Sequence, residues 1–462
     1  MNIGCDNFSV KMIENAVVHA QEPWKEHWLP FTNFDLLVPP FDVGSIFFYK
    51  KPAHASFHTI VNTLKASLSR ALTRYPPLAG EIAWNGAVGE NQIHCNNQGV
   101  YFIEAVANVE LKELNLYNPD ECIEGKLMPT KLVRGVLSIQ VTKLKCDGIV
   151  IGVMVDHRIV DGYSANMFIS SWADMTRSKT PSMIPSFGRS YLKPRSPTIY
   201  SPSIDNVFAP FLPPSNPDND DPSKEDGVYR IVNRVYYIEG AQLKRLQVLA
   251  NENIGCTRSK LVAFTSYLWK IVALSMVNSG KHDEACNVVV AVDGRRRLSE
   301  GGEEKERLMV SHFGNVLSMP YGSKKPQELK EMSLTSIAKE VQEFLEPATT
   351  KEHFLEIIDW VEEQKPRPLI SKALANGETA FTVSAGQRFE TMDAIDFGWG
   401  KVTFGMCHIP SSRNDCFVMT MGSPTNKEDW VVYMHMPMKH LNFLEAHASQ
   451  VFKPMNADYI KI

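Results

Sequence analysis

The run Val155-Asp156-His157-Arg158-Ile159-Val160-Asp161-Gly162 sets an imidazole directly after an apolar stretch, with a carboxylate four residues on and a glycine behind it. Histidine titrates near neutral pH, so it can take a proton from a hydroxyl or amine and later return it. Strand ends are where rigid scaffolds hold reactive side chains. Asp161 stands just before a helical pattern, where it would cap that helix or hold the turn rather than touch a substrate. Alone, H-x-x-x-D is short and common, and a histidine bridging two elements explains it equally well.

Two other clusters lie far away. Asp396-Phe397-Gly398-Trp399-Gly400 reads as a tight loop of close backbone approach. Its Asp-Phe-Gly does not make a kinase, because no glycine-rich phosphate loop and no His-Arg-Asp loop precedes it. Asp293-Gly294-Arg295-Arg296-Arg297 follows a strand pattern, with His312-Phe313-Gly314-Asn315 soon after. The arginines suit a solvated turn with one internal ion pair better than a phosphate site. His435, His440 and His447 are spaced wrongly for a shared ion, so no metal is assigned. G-x-S-x-G and G-x-x-x-x-G-K-[ST] are missing, which disfavours hydrolase and nucleotide-triphosphatase readings.

The elements that position these residues mix both periods. Phe57, Ile60, Val61, Leu64, Leu68, Leu72 and Tyr75 mark an amphipathic helix that Pro76-Pro77 stops. Leu137 to Leu144, a turn at Cys146-Asp147-Gly148 and the apolar run Ile149–Val155 predict a hairpin whose second strand is buried on both faces. A helix bearing Phe168, Trp172 and Met175 follows. Between Pro181 and Pro222 stand ten of the chain's 28 prolines, a texture that builds no core and reads as a crossover linker. Leu261 to Val272 then restores a helix, and Cys286 to Val292 a buried strand. This divides the chain into a first lobe over 1–180, a linker over 181–225 and a second lobe over 226–462.

Composition bounds the rest. The 462 residues are 44% hydrophobic, enough for a large core. Lys+Arg of 48 against Asp+Glu of 52 provides no concentrated basic face for nucleic acid. No window approaches the roughly 18–20 continuous apolar residues of a membrane span, and the start lacks the regions of a signal peptide. Eight scattered cysteines without a Cys-x-x-Cys pair read as buried thiols, which points to the cytosol.

Taken in order, Tyr75-Pro76-Pro77-Leu78-Ala79-Gly80, His157-x-x-x-Asp161-Gly162, Asp293-Gly294-Arg295, Phe313-Gly314-Asn315 and Asp396-Phe397-Gly398-Trp399-Gly400 resemble the plant BAHD acyltransferases, which move an acyl group from coenzyme A to an alcohol or amine. The resemblance implies a two-lobed α/β monomer of the chloramphenicol-acetyltransferase-like fold, with a mixed sheet in each lobe and a channel between them. It implies acyl-CoA as co-substrate, no permanently bound cofactor and a small-molecule acceptor. By the same resemblance His157 is the general base, with Asp161 and Gly162 structural beside it. Asp396, often counted among the family's functional residues, pairs with Arg295 and, with Trp399, holds its loop. Ser259 and Lys260 match a stretch that touches coenzyme A.

The chain also departs from the family. A Ser-Trp pair usually precedes the last motif, its tryptophan helping to bind the oxyanion; here Val383-Ser384-Ala385-Gly386-Gln387-Arg388 has none, leaving Ser384 and Gln387 as candidate donors. His312 replaces a usual tyrosine. Chloramphenicol and dihydrolipoyl acyltransferases carry the histidine motif near the C-terminus, and peptide-synthetase condensation domains place a second histidine where this chain has Asp156. Glu26-His27-Trp28-Leu29-Pro30 and Asp35-Leu36-Leu37-Val38-Pro39-Pro40 resemble a subgroup acting on coniferyl-type alcohols. The expectation is O-acylation of a phenylpropanoid alcohol. An amine acceptor, or a non-catalytic binding relative, is the alternative.

Overall fold

The computed structural model describes residues 8–461 except 54, 130, 131, 133, 182, 212–229, 253, 254, 256, 300, 301, 366, 368, 376–379 and 387–394. Gln387, residues 212–222 of the proline-rich linker and two of the eight cysteines (Cys5 and Cys256) fall outside the described residues.

The first sheet has six strands in the spatial order Val10–Val18, Val100–Ala107, Leu137–Lys143, Ile149–Asp156, Asp42–Tyr49 and Phe404–His408. Its second and third strands run parallel and the other neighbours antiparallel, so the sheet is mixed. The expected hairpin is there, Leu137 opposite Val155 and Lys143 opposite Ile149. Strand Ile149–Asp156 is buried along its whole length, as its unbroken apolar run requires.

Alternation along the strands feeds two cores. Phe47, Tyr49, Ile151 and Val153 face the helices Phe57–Arg74 and Gly162–Thr176. Ile46, Phe48, Val150 and Met154 face the other way, toward Val235, Tyr237, Val431 and Tyr433 of the second sheet. Gly152 sits under this inner layer, where a Cβ would fall 2.9 Å from the Leu127 carbonyl oxygen and 3.2 Å from Met128 Cβ. A larger residue would push those two off the sheet.

The second sheet runs Tyr321–Lys324, Cys286–Val290, Ala380–Ala385, Cys416–Gly422, Trp430–Pro437, Ile231–Ile238 and Lys453–Pro454, with parallel pairing at its second, third and fourth strands. Its outer face is covered by Lys260–Asn278 and neighbouring helices through Leu243, Leu268, Trp269, Ile337 and Leu441. The architecture is thus helix, sheet, sheet, helix, with the two sheets sharing the central core.

Two sequence expectations are refined here. The strand Phe404–His408, in the stretch assigned to the second lobe, pairs with Asp42–Tyr49 and completes the first sheet. Chain order and spatial lobe therefore part company at this strand. Helix Lys260–Asn278 is long and apolar enough, by length and composition, to cross a membrane, contrary to the reading of the apolar windows. Its Phe264, Leu268, Trp269, Val272 and Met276 are buried in the outer core, which accounts for that composition.

The three C-terminal histidines are dispersed. His435 lies on a buried strand beside Asn233, His440 faces Ser275 and His447 packs on Phe443. Among the described residues no group of three or more His, Cys, Asp or Glu is placed to hold a metal. Burial holds several imidazoles neutral: His435 and His353 are lowered to about 4 and His440 to about 3, desolvation being the first cause in each. An unfolded histidine titrates near 6.5, so the unfolded chain takes up these protons first. Stability is full above about pH 6.5 and declines as pH falls toward 4. The urea midpoint is expected to drop steadily between pH 7 and pH 4.5; a flat profile would show that these side chains charge without unfolding.

Candidate active site

His157 emerges where strand Ile149–Asp156 ends, its amide donating to the Phe41 carbonyl at 2.9 Å. The ring is half-buried, with Phe41 against it at a centroid distance of 4.8 Å. Burial lowers its pKa from the ordinary histidine value, while its own backbone carbonyl, Asp161, Asp156 and the Asn315 amide push back. At neutral pH the imidazole is a free base. The neighbouring carboxylate Asp156 is not available to it, being held in a two-point pair by Arg158 (Nε 3.0 Å, Nη2 2.5 Å).

Asp161 does what its position announces. It is the N-cap of helix Gly162–Thr176, with Oδ1 accepting from the Ser164 amide at 2.9 Å. It also receives the Arg295 guanidinium in a fork, Nη1 to Oδ2 at 2.8 Å and Nη2 to Oδ1 at 3.1 Å. Arg295 is 3% exposed and Asp161 1%, so this pair is sealed from water. The remaining donors of Arg295 reach Asp293, Ser164 and the Gly314 carbonyl, and the Val316 amide completes Asp161. Burial works against the Arg295 charge, but Asp161 and Asp293 hold its pKa above the usual value. The turn after His157 is thereby tied to residues 293–316 from the other half of the chain.

The expected pairing of Asp396 with Arg295 is corrected by these contacts, because Arg295 is already taken. Asp396 Oδ1 accepts from the amides of Gly398 (2.7 Å) and Gly400 (3.1 Å), both at positive φ, and its other oxygen lies 3.6 Å from Arg177. Arg177 ends the very helix that Asp161 begins, so the loop is anchored to that helix, away from His157. Asp396, Trp399, Arg177 and Lys179 line a surface cavity of about 650 Å³.

Sequence reasoning missed the aromatic chain that joins the motifs. Tyr75 meets Phe168 and Phe313 edge-on at 5.3 and 5.2 Å, Trp172 meets Phe397 at 4.8 Å, and Trp399 stacks on Phe397 and meets Tyr49 edge-on. Four stretches distant in sequence thus share one packed layer beside the first sheet, each ring pair adding roughly 0.5–1.5 kcal/mol beyond area burial. Its sequence signal is the aromatic in three of the five motifs: Tyr75, Phe313, and Phe397 with Trp399.

The other predicted residues have contacts of their own. Ser259 is exposed and caps helix Lys260–Asn278 through the Val262 amide; Lys260 pairs with Glu428 at 2.5 Å. Ser384 is half-buried on strand Ala380–Ala385, its carbonyl accepting from Thr420. Gly162 is the first residue of its helix. His312 is fully buried with Nδ1 3.1 Å from the Tyr191 hydroxyl, and burial first, then Arg189 and Arg295, hold its pKa well below the usual value.

The chain is thus a two-lobed α/β protein with a histidine at the end of an inner strand. Residues 8–451 match the model of the Transferase family, and the chain belongs to that family, the BAHD acyl-CoA-dependent transferases. A hydroxycinnamoyltransferase of Narcissus pseudonarcissus is 28% identical over 430 residues, covering 88% of this chain and 94% of the relative. Anthranilate N-benzoyltransferase protein 1 of Dianthus caryophyllus is 26% identical over 443 residues, covering 89% and 96%. The crystal structure of vinorine synthase superposes with a TM-score of 0.71 at 20% identity, covering 96% of this chain and 99% of that one. The expected fold is the one observed.

Proposed function

We propose that this chain moves an acyl group from acyl-CoA to the hydroxyl of a phenylpropanoid alcohol, with His157 as general base. The observation that carries the reading is His157 itself: half-buried, neutral by desolvation and rigidly mounted at a strand end. The acceptor oxygen gives its proton to the imidazole as it attacks the thioester carbonyl. The C–O bond forms, the C–S bond breaks, and the proton passes from His157 to the departing thiolate. A thiolate leaves readily, so no acyl-enzyme is needed.

Ser259 and Lys260 are assigned to the coenzyme A side and Ser384 to the developing oxyanion. Asp161, Gly162 and Arg295 position the turn; Asp396 and Trp399 hold their loop. The protein works as a cytosolic monomer in this reading. The hydroxyl acceptor follows from the 26–30 and 35–40 stretches and agrees with a relative named for hydroxycinnamoyl transfer. A relative named for N-benzoyl transfer supports the amine alternative.

A matrix of acyl-CoA donors against phenylpropanoid alcohols and aromatic amines, read by thiol release, tests this. Release is expected to depend on an alcohol and to be greatest with hydroxycinnamoyl donors. Release with amines alone would replace O-acylation by N-acylation, and no release with any pair would leave a binding protein.

A further inference from the structure

Asn315 follows the positive-φ Gly314 and is fully buried, yet its amide reaches across to the turn that carries His157. Its Nδ2 lies 3.0 Å from the His157 carbonyl oxygen, 3.1 Å from that of Arg158 and 3.0 Å from Asp35 Oδ1. Three acceptors around one atom identify it as the NH2 end, because only that end donates. Asn315 is itself clamped, since Asp35 Oδ1 also takes its backbone amide at 2.9 Å. Asp35 in turn is 2% exposed, with Oδ2 accepting from the Thr32 amide and hydroxyl at 2.8 Å each and Arg189 3.6 Å away. The oxygen end of Asn315 and the Nδ1 of His157 are both buried and neither makes a hydrogen bond among the described residues; the Asn315 side chain and the carbonyl of His157 itself are the polar neighbours of the ring.

We propose that Asn315, held by Asp35, is the positioning residue for His157: its NH2 fixes the carbonyls of the turn and its oxygen receives the Nδ1 hydrogen. This rests on His157 acting as the base. With the hydrogen on Nδ1, the lone pair is on Nε2, which is then the atom that takes the acceptor's proton. Asn315 stabilises the imidazolium that forms, in keeping with its upward pull on the His157 pKa. Its action is on the orientation and tautomer of another group, not on substrate.

Two measurements test the assignment. In Asn315→Ala, kcat is expected to fall about 10- to 100-fold, the range misplacement of a reacting group produces. KM for acyl-CoA should hardly move, and the acid limb of the kcat profile should shift to lower pH. A variant with unchanged kcat and unchanged acid limb would overturn the proposal. The second measurement does not depend on the Asn315 variant: histidine nitrogen NMR of the wild-type protein, with the His157 signal assigned by its loss in a folded His157→Gln. The Nδ1–H tautomer is expected, and a dominant Nε2–H form would overturn the proposal even if Asn315→Ala did not fold. Full turnover in His157→Gln would instead remove the base reading itself, which separates the two failures.

Discussion

His157→Ala is expected to lose about 10²- to 10⁴-fold in kcat, the usual contribution of a positioned general base, while folding like the parent. The ring is half-buried at the end of a strand, and its backbone amide bond to Phe41 does not depend on the side chain. The loss should fall on kcat with little change in KM for acyl-CoA, because the imidazole acts on the acceptor proton. In the wild type, the rate should decline as pH falls through the folded-state pKa. Burial places that pKa below the ordinary value of about 6.5. An acid limb above that value would mean that a different group is titrating. Parental turnover in His157→Ala would take the residue out of the mechanism.

Arg295→Met should have the largest effect on stability. It leaves Asp161 as a buried carboxylate facing only its cap and amide donors, and breaking such a pair costs about 3–5 kcal/mol. The Gly314 carbonyl and Ser164 hydroxyl lose a donor as well. Arg295→Lys should rescue little, because a single ammonium cannot span the fork on Asp161 and still reach Gly314. Asp161→Asn combined with Arg295→Met should recover part of the loss, since the uncompensated charge is gone. Urea unfolding reads all three. If Arg295→Met matched the wild type, the fork would be ornamental, and the link from residues 293–316 to the His157 turn would need another explanation.

Much of the local structure was legible in the sequence. The helix from Phe57 ends at Arg74, directly before the proline pair that removes amide donors. Asp161 caps the helix that follows it, as its side-chain oxygen allows at that position. The apolar run Ile149–Val155 is a strand buried on both faces. Helix Lys260–Asn278 shows the opposite case. Its apolar composition meets the length and hydropathy of a membrane span, and only its place over the second sheet explains it.

The candidate base, its place at a strand end and the cap that follows were written in the order of residues, because turns, caps and periodicity act over three or four positions. Partners were decided in three dimensions. Arg295 could have met Asp161 or Asp396, and packing brought Asp161 to it while Arg177 took the loop. Phe404–His408 could have extended its own lobe, but its pairing edge lies against Asp42–Tyr49. Asn315 carries no local signal of its contact with a turn 158 residues away. Long-range pairings like these depend on which faces are buried together, and no spacing along the chain encodes that.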